Sequence, residues 1–233
     1  MHLHLSHSLV YLFDDFEELS QRCTLIDILE CFRNKVPPAE LRKYEALQHT
    51  QAKQLWLLSR VLLLYGLYDN KGKLCIPEIA YNAHNKPYFK HCTEFHFNIS
   101  YCSQAVACAF SNYAIGIDVH EVSEANVDLS QALSSAELRY VESAEHKEDA
   151  LTRIWVCKEA FVKALGEGVT SSTNKYNLID HGVIKQQSSG FHITEYHTID
   201  SPYYLAVCAR DQTYVRWVSA QDLAHFLEML SQY

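Results

Sequence analysis

The chain is 233 residues long, with 48% apolar residues, 21% charged residues and a mean hydropathy of -0.17, which excludes a disordered or fibrous protein and leaves one large domain or two small ones packed together. Its net charge of -8 provides no global positive field to gather nucleic acid or an anionic membrane. Only 7 Gly and 5 Pro are present, with no G-x-G-x-x-G or Walker-type run, so a phosphate site would have to be assembled from scattered residues.

His2 to Val10 alternates His or Ser with Leu, the period of a half-buried strand, and predicts a first strand whose solvated face carries His2, His4 and His7 rather than a set of metal ligands. The same segment has no positive leader or small-residue cleavage site, and Asp14, Asp15, Glu17 and Glu18 follow at once, unlike a signal peptide. Phe16 to Phe32 spaces Leu19, Cys23, Ile26 and Leu29 as a helix does. Pro38 then opens a long amphipathic helix with Leu41, Tyr44, Leu47, Leu55, Leu58 and Leu62 on one side and Gly66 as its expected stop. Its other side carries Arg42, Lys43, Lys53 and Arg60, a solvated charged face on residue chemistry alone. The most apolar run, Leu55 to Tyr68, is interrupted by Ser59, Arg60 and Gly66 and is shorter than the ~18 residues of a spanning helix, so no membrane segment is expected.

From Phe95 the period shortens to two. Phe95, Phe97 and Ile99 alternate with polar residues, Ala105 to Phe110 is an apolar run, Ser111-Asn112 makes a turn, and Tyr113 to Val119 returns as the second arm of an expected β-hairpin. On that return strand Ile115, Ile117 and Val119 share one face, leaving Gly116, Asp118 and His120 on the other. Ser134 to Glu137 has capping-box spacing, and a helix is expected from Glu148 to Leu165, ended by Gly166 and Gly168. Tyr203 to Ala209 and Thr213 to Val218 predict a terminal hairpin, followed by a short helix to Leu230, and no internal sequence repeat is visible. The eight Cys contain no C-x-x-C pair and the chain is too long to need a disulfide frame, which predicts small buried thiols in a reducing, cytoplasmic compartment.

Asp118 closes an apolar strand, where a carboxylate is costly unless a cation or a donor meets it. Glu159 and Lys163 are four apart in the late helix and share a face; taken alone they are an ordinary surface ion pair. Taken together, Ile115-Gly116-Ile117-Asp118-Val119 and, about forty residues on, Trp155-x-x-Lys158-Glu159-Ala160-x-x-Lys163 resemble the paired signature of the 4′-phosphopantetheinyl transferases. Asn85-Lys86-Pro87-Tyr88-Phe89 and Phe97-Asn98-Ile99-Ser100 look like the same family's third motif, in the right order. The resemblance spans about Lys53 to Gly168, and the length matches the double-length, monomeric Sfp-type branch rather than the short trimeric holo-acyl-carrier-protein synthases.

The resemblance implies an α/β (α+β) pseudodimer of two similar subdomains, 1–112 and 113–233, with the active site between them and the metal site on the second. It implies transfer of the phosphopantetheine arm of coenzyme A to a serine of an acyl or peptidyl carrier protein, with release of adenosine 3′,5′-bisphosphate. Mg²⁺ on hard carboxylate oxygens is the cation a pyrophosphate calls for. By the same resemblance Asp118 and Glu159 are metal ligands, Glu159 also receives or orients the serine proton, and Lys163 stabilises charge on the phosphate oxygens. Lys53, Lys86 and Ser100 match positions that grip the nucleotide phosphates. Lys158 would meet phosphate or only the surface, and Trp155 is a packing anchor. Lys147, Arg153 and Arg139 are candidates for a basic lip toward an acidic carrier, or for a solvated helix face.

Two departures from the family pattern stand out. An acid is expected two residues after Asp118, where this chain has His120, with Glu121 next; the third metal position falls to water, to Glu121 if the strand has ended, or to His120 with a shift toward Mn²⁺. Other members lack this acid too. The His that usually follows Asn-x-Ser is Tyr101, which can donate to a 3′-phosphate but carries no charge. A non-catalytic relative that only binds coenzyme A or a carrier is the alternative function.

Overall fold

The computed structural model describes residues 5–122, 132–167, 171–197 and 201–233. Its elements run β1 (Ser8–Phe13), α1 (Phe16–Arg22), α2 (Leu25–Phe32), α3 (Pro38–Ala46), α4 (Thr50–Lys71), β2 (Ile79–Tyr81), β3 (Pro87–Phe89), β4 (His96–Tyr101), β5 (Val106–Ser111), β6 (Gly116–Glu121), α5 (Ser135–Ser143), α6 (Lys147–Leu165), β7 (Ile179–Asp180), β8 (Val183–Ile184), β9 (Gln187–Ser188), β10 (Phe191–Tyr196), β11 (Tyr203–Ala209), β12 (Thr213–Trp217) and α7 (Ala220–Ser231). Mixed α/β content is as the sequence predicts.

Two four-stranded sheets, β12-β1-β5-β4 and β6-β11-β10-β9, carry the architecture. Alternation on each strand sends one set of side chains between the sheets: Val10 and Leu12, Ala107 and Ala109, Ile115, Ile117 and Val119, and Leu205 and Val207 form this inner layer. The opposite faces receive helices. Tyr11, Phe13, Phe97 and Phe110 pack under α4, and Ala206 and Cys208 under α6, giving four layers, α/β/β/α. The two halves repeat one connection, in which a first strand (β1 or β6) leads to a long helix (α4 or α6) and then to two strands, the second of which returns beside the first. No sequence likeness announces this repeat, because it resides in connectivity.

The first strand starts later than predicted. Ser8–Phe13 is buried almost throughout because β1 is central, parallel to β12 and antiparallel to β5; a strand covered on both faces needs continuous apolar residues, not alternation. His2 and His4 lie outside the described residues. The expected helix over Phe16 to Phe32 is two, divided where Thr24 caps α2 reciprocally with Asp27. The helix opened by Pro38 also divides, and α4 runs past Gly66 to Gly72, whose φ of +61° makes the stop. Gly66 serves packing instead: a Cβ there would stand 2.2 Å from the Phe110 ring.

Both expected hairpins are corrected. β5 pairs with β4 and β1, whereas β6 crosses to the other sheet and pairs with β11. Its Ile face closes against the Ala face of β5 across the inner layer, a contact that resembles pairing in sequence but is sheet-on-sheet packing. Likewise β12 leaves β11 and joins β1 in parallel, anchored by Ser8 N–H donating to the Gln212 carbonyl at 2.9 Å. The predicted helices α5, with its Ser134/Glu137 capping box, and α6, stopped by Gly166 at φ +78°, are present; Gly168 lies outside the described residues.

Candidate active site

The site forms where β6 lies against α6. Close approach is set by Gly116, since a Cβ there would come within 1.9 Å of the Ala160 carbonyl oxygen and 2.4 Å of the Ala164 nitrogen. Two residues on, the same face presents Asp118, which is 5% exposed. Its Oδ1 accepts hydrogen bonds from Lys163 Nζ at 2.6 Å and from Ser100 Oγ at 2.8 Å. Lys163 Nζ also lies 3.3 Å from Ser100 Oγ. Asp118 therefore has both the cation and the donor that its burial demands.

Ser100 is a joint between the sheets as well as a member of the site. Its hydroxyl accepts from the Val119 N–H at 3.2 Å, while Asn98, two residues earlier on β4, accepts from the Ile117 N–H at 2.8 Å. These side chains continue the β4 edge onto β6 where no backbone ladder joins the sheets.

Glu159 stands one helical turn before Lys163 and is half-buried. Burial first, and the negative charge of Asp118 second, push its carboxyl up to about 7, with Lys163 pulling the other way. A carboxylate poised near neutral pH can hold or release a proton at its operating pH.

The remaining predicted residues divide. Lys86, just before β3, sends its ammonium to the Ile115 carbonyl at 2.9 Å and the Lys163 carbonyl at 2.5 Å; burial holds its pKa down to about 8. Lys158 corrects the expectation of a phosphate contact. It is 2% exposed and its ammonium is taken by Glu137 and, at 2.7 Å, by the Tyr176 carbonyl, because at its position in α6 the side chain points toward α5 rather than β6. Lys53 lies in the first turn of α4 with its ammonium 5.7 Å over the Tyr44 ring, and no contact joins it to Asp118. Tyr101 ends β4 43% exposed. Trp155 packs against the core under α6, as an anchor does. Arg153 is ion-paired with Glu195, which removes it from the expected basic lip; Arg139 and Lys147 are exposed.

His120 sits on the Asp118 face, opposite Tyr204 of β11. With Asp118 and Glu159 it does not close into a metal-ligating group, and among the described residues no cluster of three or more His, Cys, Asp and Glu does so. Glu121 is no substitute: still within β6, it points to the opposite face and accepts from the Ser103 N–H at 2.7 Å.

Two residues that the sequence did not connect with the site support it. Glu137 is fully buried, and besides Lys158 it accepts from the Leu178 and Ser134 N–H groups at 2.9 and 2.7 Å. Its signal was available, since a lysine in the buried stripe of α6 needs a buried anion. Asn82 donates to the Gly166 carbonyl at 2.8 Å, closing the end of α6; nothing local in the sequence marks it.

The family model of the 4′-phosphopantetheinyl transferase superfamily matches residues 114–214, the stretch that carries Asp118, Glu159 and Lys163. The chain is 24% identical over 191 residues to 4′-phosphopantetheinyl transferase Sfp of Bacillus subtilis (strain 168), covering 77% of this chain and 84% of that protein. It is 24% identical over 186 residues to 4′-phosphopantetheinyl transferase psf-1 of Bacillus pumilus, covering 75% and 79%, and 30% identical over 98 residues to 4′-phosphopantetheinyl transferase gsp of Aneurinibacillus migulanus, covering 41% and 40%. With that pair of long matches added to the seam between β6 and α6, the chain is similar along most of its length to Sfp-type 4′-phosphopantetheinyl transferases.

Proposed function

We propose that this protein transfers the 4′-phosphopantetheine group of coenzyme A to a serine of an apo acyl or peptidyl carrier protein. The observation that carries the reading is the Asp118–Lys163 pair with Glu159 one turn away, a proton acceptor and a cation on one helix face beside a buried carboxylate. In the reaction the serine oxygen forms a bond to the phosphorus bearing the pantetheine arm. The bond from that phosphorus to the bridging oxygen breaks, and its electron pair leaves with adenosine 3′,5′-bisphosphate. Glu159, near neutral in pKa, takes the serine proton. Lys163, anchored on Asp118, meets the charge that grows on the departing phosphate oxygen.

Asp118 and Glu159 suit a hard divalent cation such as Mg²⁺. They are two carboxylates in one seam, where burial first and the Asp118 charge second raise Glu159, and phosphate oxygens and water would complete the coordination shell. Bound there, the ion supplies Lewis-acid polarisation of the pyrophosphate. The all-oxygen pair favours Mg²⁺, with Mn²⁺ as a substitute.

We assign the chain two subdomains divided near residues 112 and 113, a pseudodimer supported by the repeated connection of the two sheets, with β12 and α7 returning to the first. A monomer suffices for this site, since both carboxylates and the lysine come from one chain. No helix among the described residues is long and apolar enough to cross a membrane, and all eight cysteines are free, which supports a cytoplasmic location. Incubating the purified protein with coenzyme A, Mg²⁺ and an apo carrier domain and weighing the carrier intact tests the reading. A mass gain of one phosphopantetheine is expected. Coenzyme A binding without that gain would leave a binding module.

A further inference from the structure

Lys86 matches a phosphate-gripping position, yet its ammonium is spent on backbone. Of its three N–H groups, one donates to the Ile115 carbonyl, immediately before β6, and one to the Lys163 carbonyl, in the last turn of α6. These are the strand that carries Asp118 and the helix that carries Glu159 and Lys163. Lys86 itself belongs to the turn between β2 and β3. That turn is rigid: Asn82 Oδ1 accepts from the His84 and Lys86 N–H groups, both at 2.9 Å, and Asn85 holds a positive φ of 61°. The same Asn82 donates to the Gly166 carbonyl. One turn thus donates to two carbonyls at the end of α6, that of Gly166 and that of Lys163, which also accepts from the Gly166 N–H, and sets a cation at the negative end of the α6 dipole.

We propose that Lys86 is a positioning residue, which ties Ile115 to Lys163 and so fixes the spacing of β6 and α6 at which Lys163 meets Asp118. The inference rests on the transfer reading above for its kinetic consequence but not for its structural one. Gly116 lets the two elements approach; Lys86 holds them there from the end of the seam. A misplacement of the lysine by an ångström would be felt mainly in turnover, since charge on the phosphate oxygens grows in the transition state.

The test compares Lys86→Met and Lys86→Arg with wild type. In coenzyme-free protein, hydrogen exchange is followed at the Gly166 and Glu167 amides, which bond the Lys163 and Val162 carbonyls. Exchange at both should quicken in Lys86→Met and stay slow in Lys86→Arg, which keeps the donors. Under turnover, Lys86→Met should lower kcat about 10- to 100-fold, leave the KM for coenzyme A and its calorimetric Kd near wild type, and be rescued in part by Lys86→Arg. Unchanged exchange in Lys86→Met overturns the proposal whatever the kinetics. So does a coenzyme A Kd raised tenfold with kcat intact, which would make Lys86 a phosphate grip. If Lys86→Met does not fold, Lys86→Gln, whose shorter side chain cannot span both carbonyls, takes its place under the same criteria. A wild type that transfers nothing would sink the transfer reading, and the exchange experiment would still decide the strut.

Discussion

β1 and β6 hold the same place in the two halves, each beginning a strand, long helix and returning strand, yet they face their helices differently. β1 turns Tyr11 and Phe13 toward α4, into an aromatic layer with Phe97 and Phe110. β6 turns Gly116 and Asp118 toward α6. The first seam is filled by rings, with Gly66 of the helix making room for Phe110; the second is closed to backbone contact by a strand glycine. One connection can therefore carry a packed aromatic layer or a seam that holds charge, depending on whether two strand positions are large and apolar or small and acidic. Polar groups in the second seam are affordable because each meets a partner from another element.

The largest expected effect separates the two helices by chemistry. Glu159→Gln should lower kcat/KM for carrier modification by about 10²- to 10⁴-fold, the range a positioned proton acceptor supplies, with the circular dichroism and melting cooperativity of the folded protein kept. Asp69→Asn on α4, which removes the charge from the acceptor of the Tyr11 hydroxyl at 2.6 Å, should leave transfer unchanged. Equal losses from both variants would mean that the acidic group matters only to folding.

Next is the buried pair behind α6. Lys158→Ala leaves Glu137 charged and without its ammonium at 0% exposure, and truncating one partner of such a pair costs about 3–5 kcal/mol. Urea denaturation should show it as a lower midpoint at unchanged slope. Because Lys158 points away from β6, the residual folded fraction should keep its KM for coenzyme A; a raised KM would restore Lys158 to the phosphate site.

The two glycines are the sharper comparison. At Gly116→Ala the new methyl meets main-chain atoms of α6 that can move only if the helix moves, a cost of about 3 kcal/mol, at the upper end for overpacking. At Gly66→Ala it meets the Phe110 ring, which can tilt, and alanine regains about 1 kcal/mol of helix propensity, so a net loss of about 1 kcal/mol is expected. Chemical denaturation of both variants checks the order. A larger loss at Gly66 would show that the aromatic layer, not the β6–α6 seam, is the stiffer of the two.

These residues also show what a linear sequence discloses. The face of β6 was legible, since Ile115, Ile117 and Val119 alternate with Gly116, Asp118 and His120 and side-chain period is local. The capping box of α5 and the glycine stop of α6 were legible for the same reason. Strand partners were not. β5 and β6 are adjacent in sequence and face each other across the inner layer, and alternation is identical whether two strands pair or pack. Gly66 looked like a helix stop because the ring that needs its space comes 44 residues later. Lys86 and Lys158 were assigned by motif position alone, but a long cationic side chain declares its partner only when the fold places a carbonyl or a carboxylate within reach.

A further expected effect crosses between the halves. Lys86 reaches from the β2–β3 turn into the β6–α6 seam, where burial lowers its pKa from 10.5 to about 8. Between those values the unfolded chain holds a proton that the folded protein has released. Stability attributable to this group therefore rises as pH goes from about 8 to 10.5, and is lost again as pH falls through 8. The full shift would correspond to about 3 kcal/mol, and partial exposure of the side chain screens this to about 1–2 kcal/mol. Tyrosines and cysteines titrate over the same interval, so the quantity to follow is the difference in unfolding free energy between wild type and Lys86→Met, measured by urea titration at intervals from pH 7 to 10.5. That difference should shift in favour of wild type with increasing pH. A flat difference would mean that the Ile115 and Lys163 carbonyls already compensate the charge in full, and that burial at the junction of the halves costs Lys86 nothing.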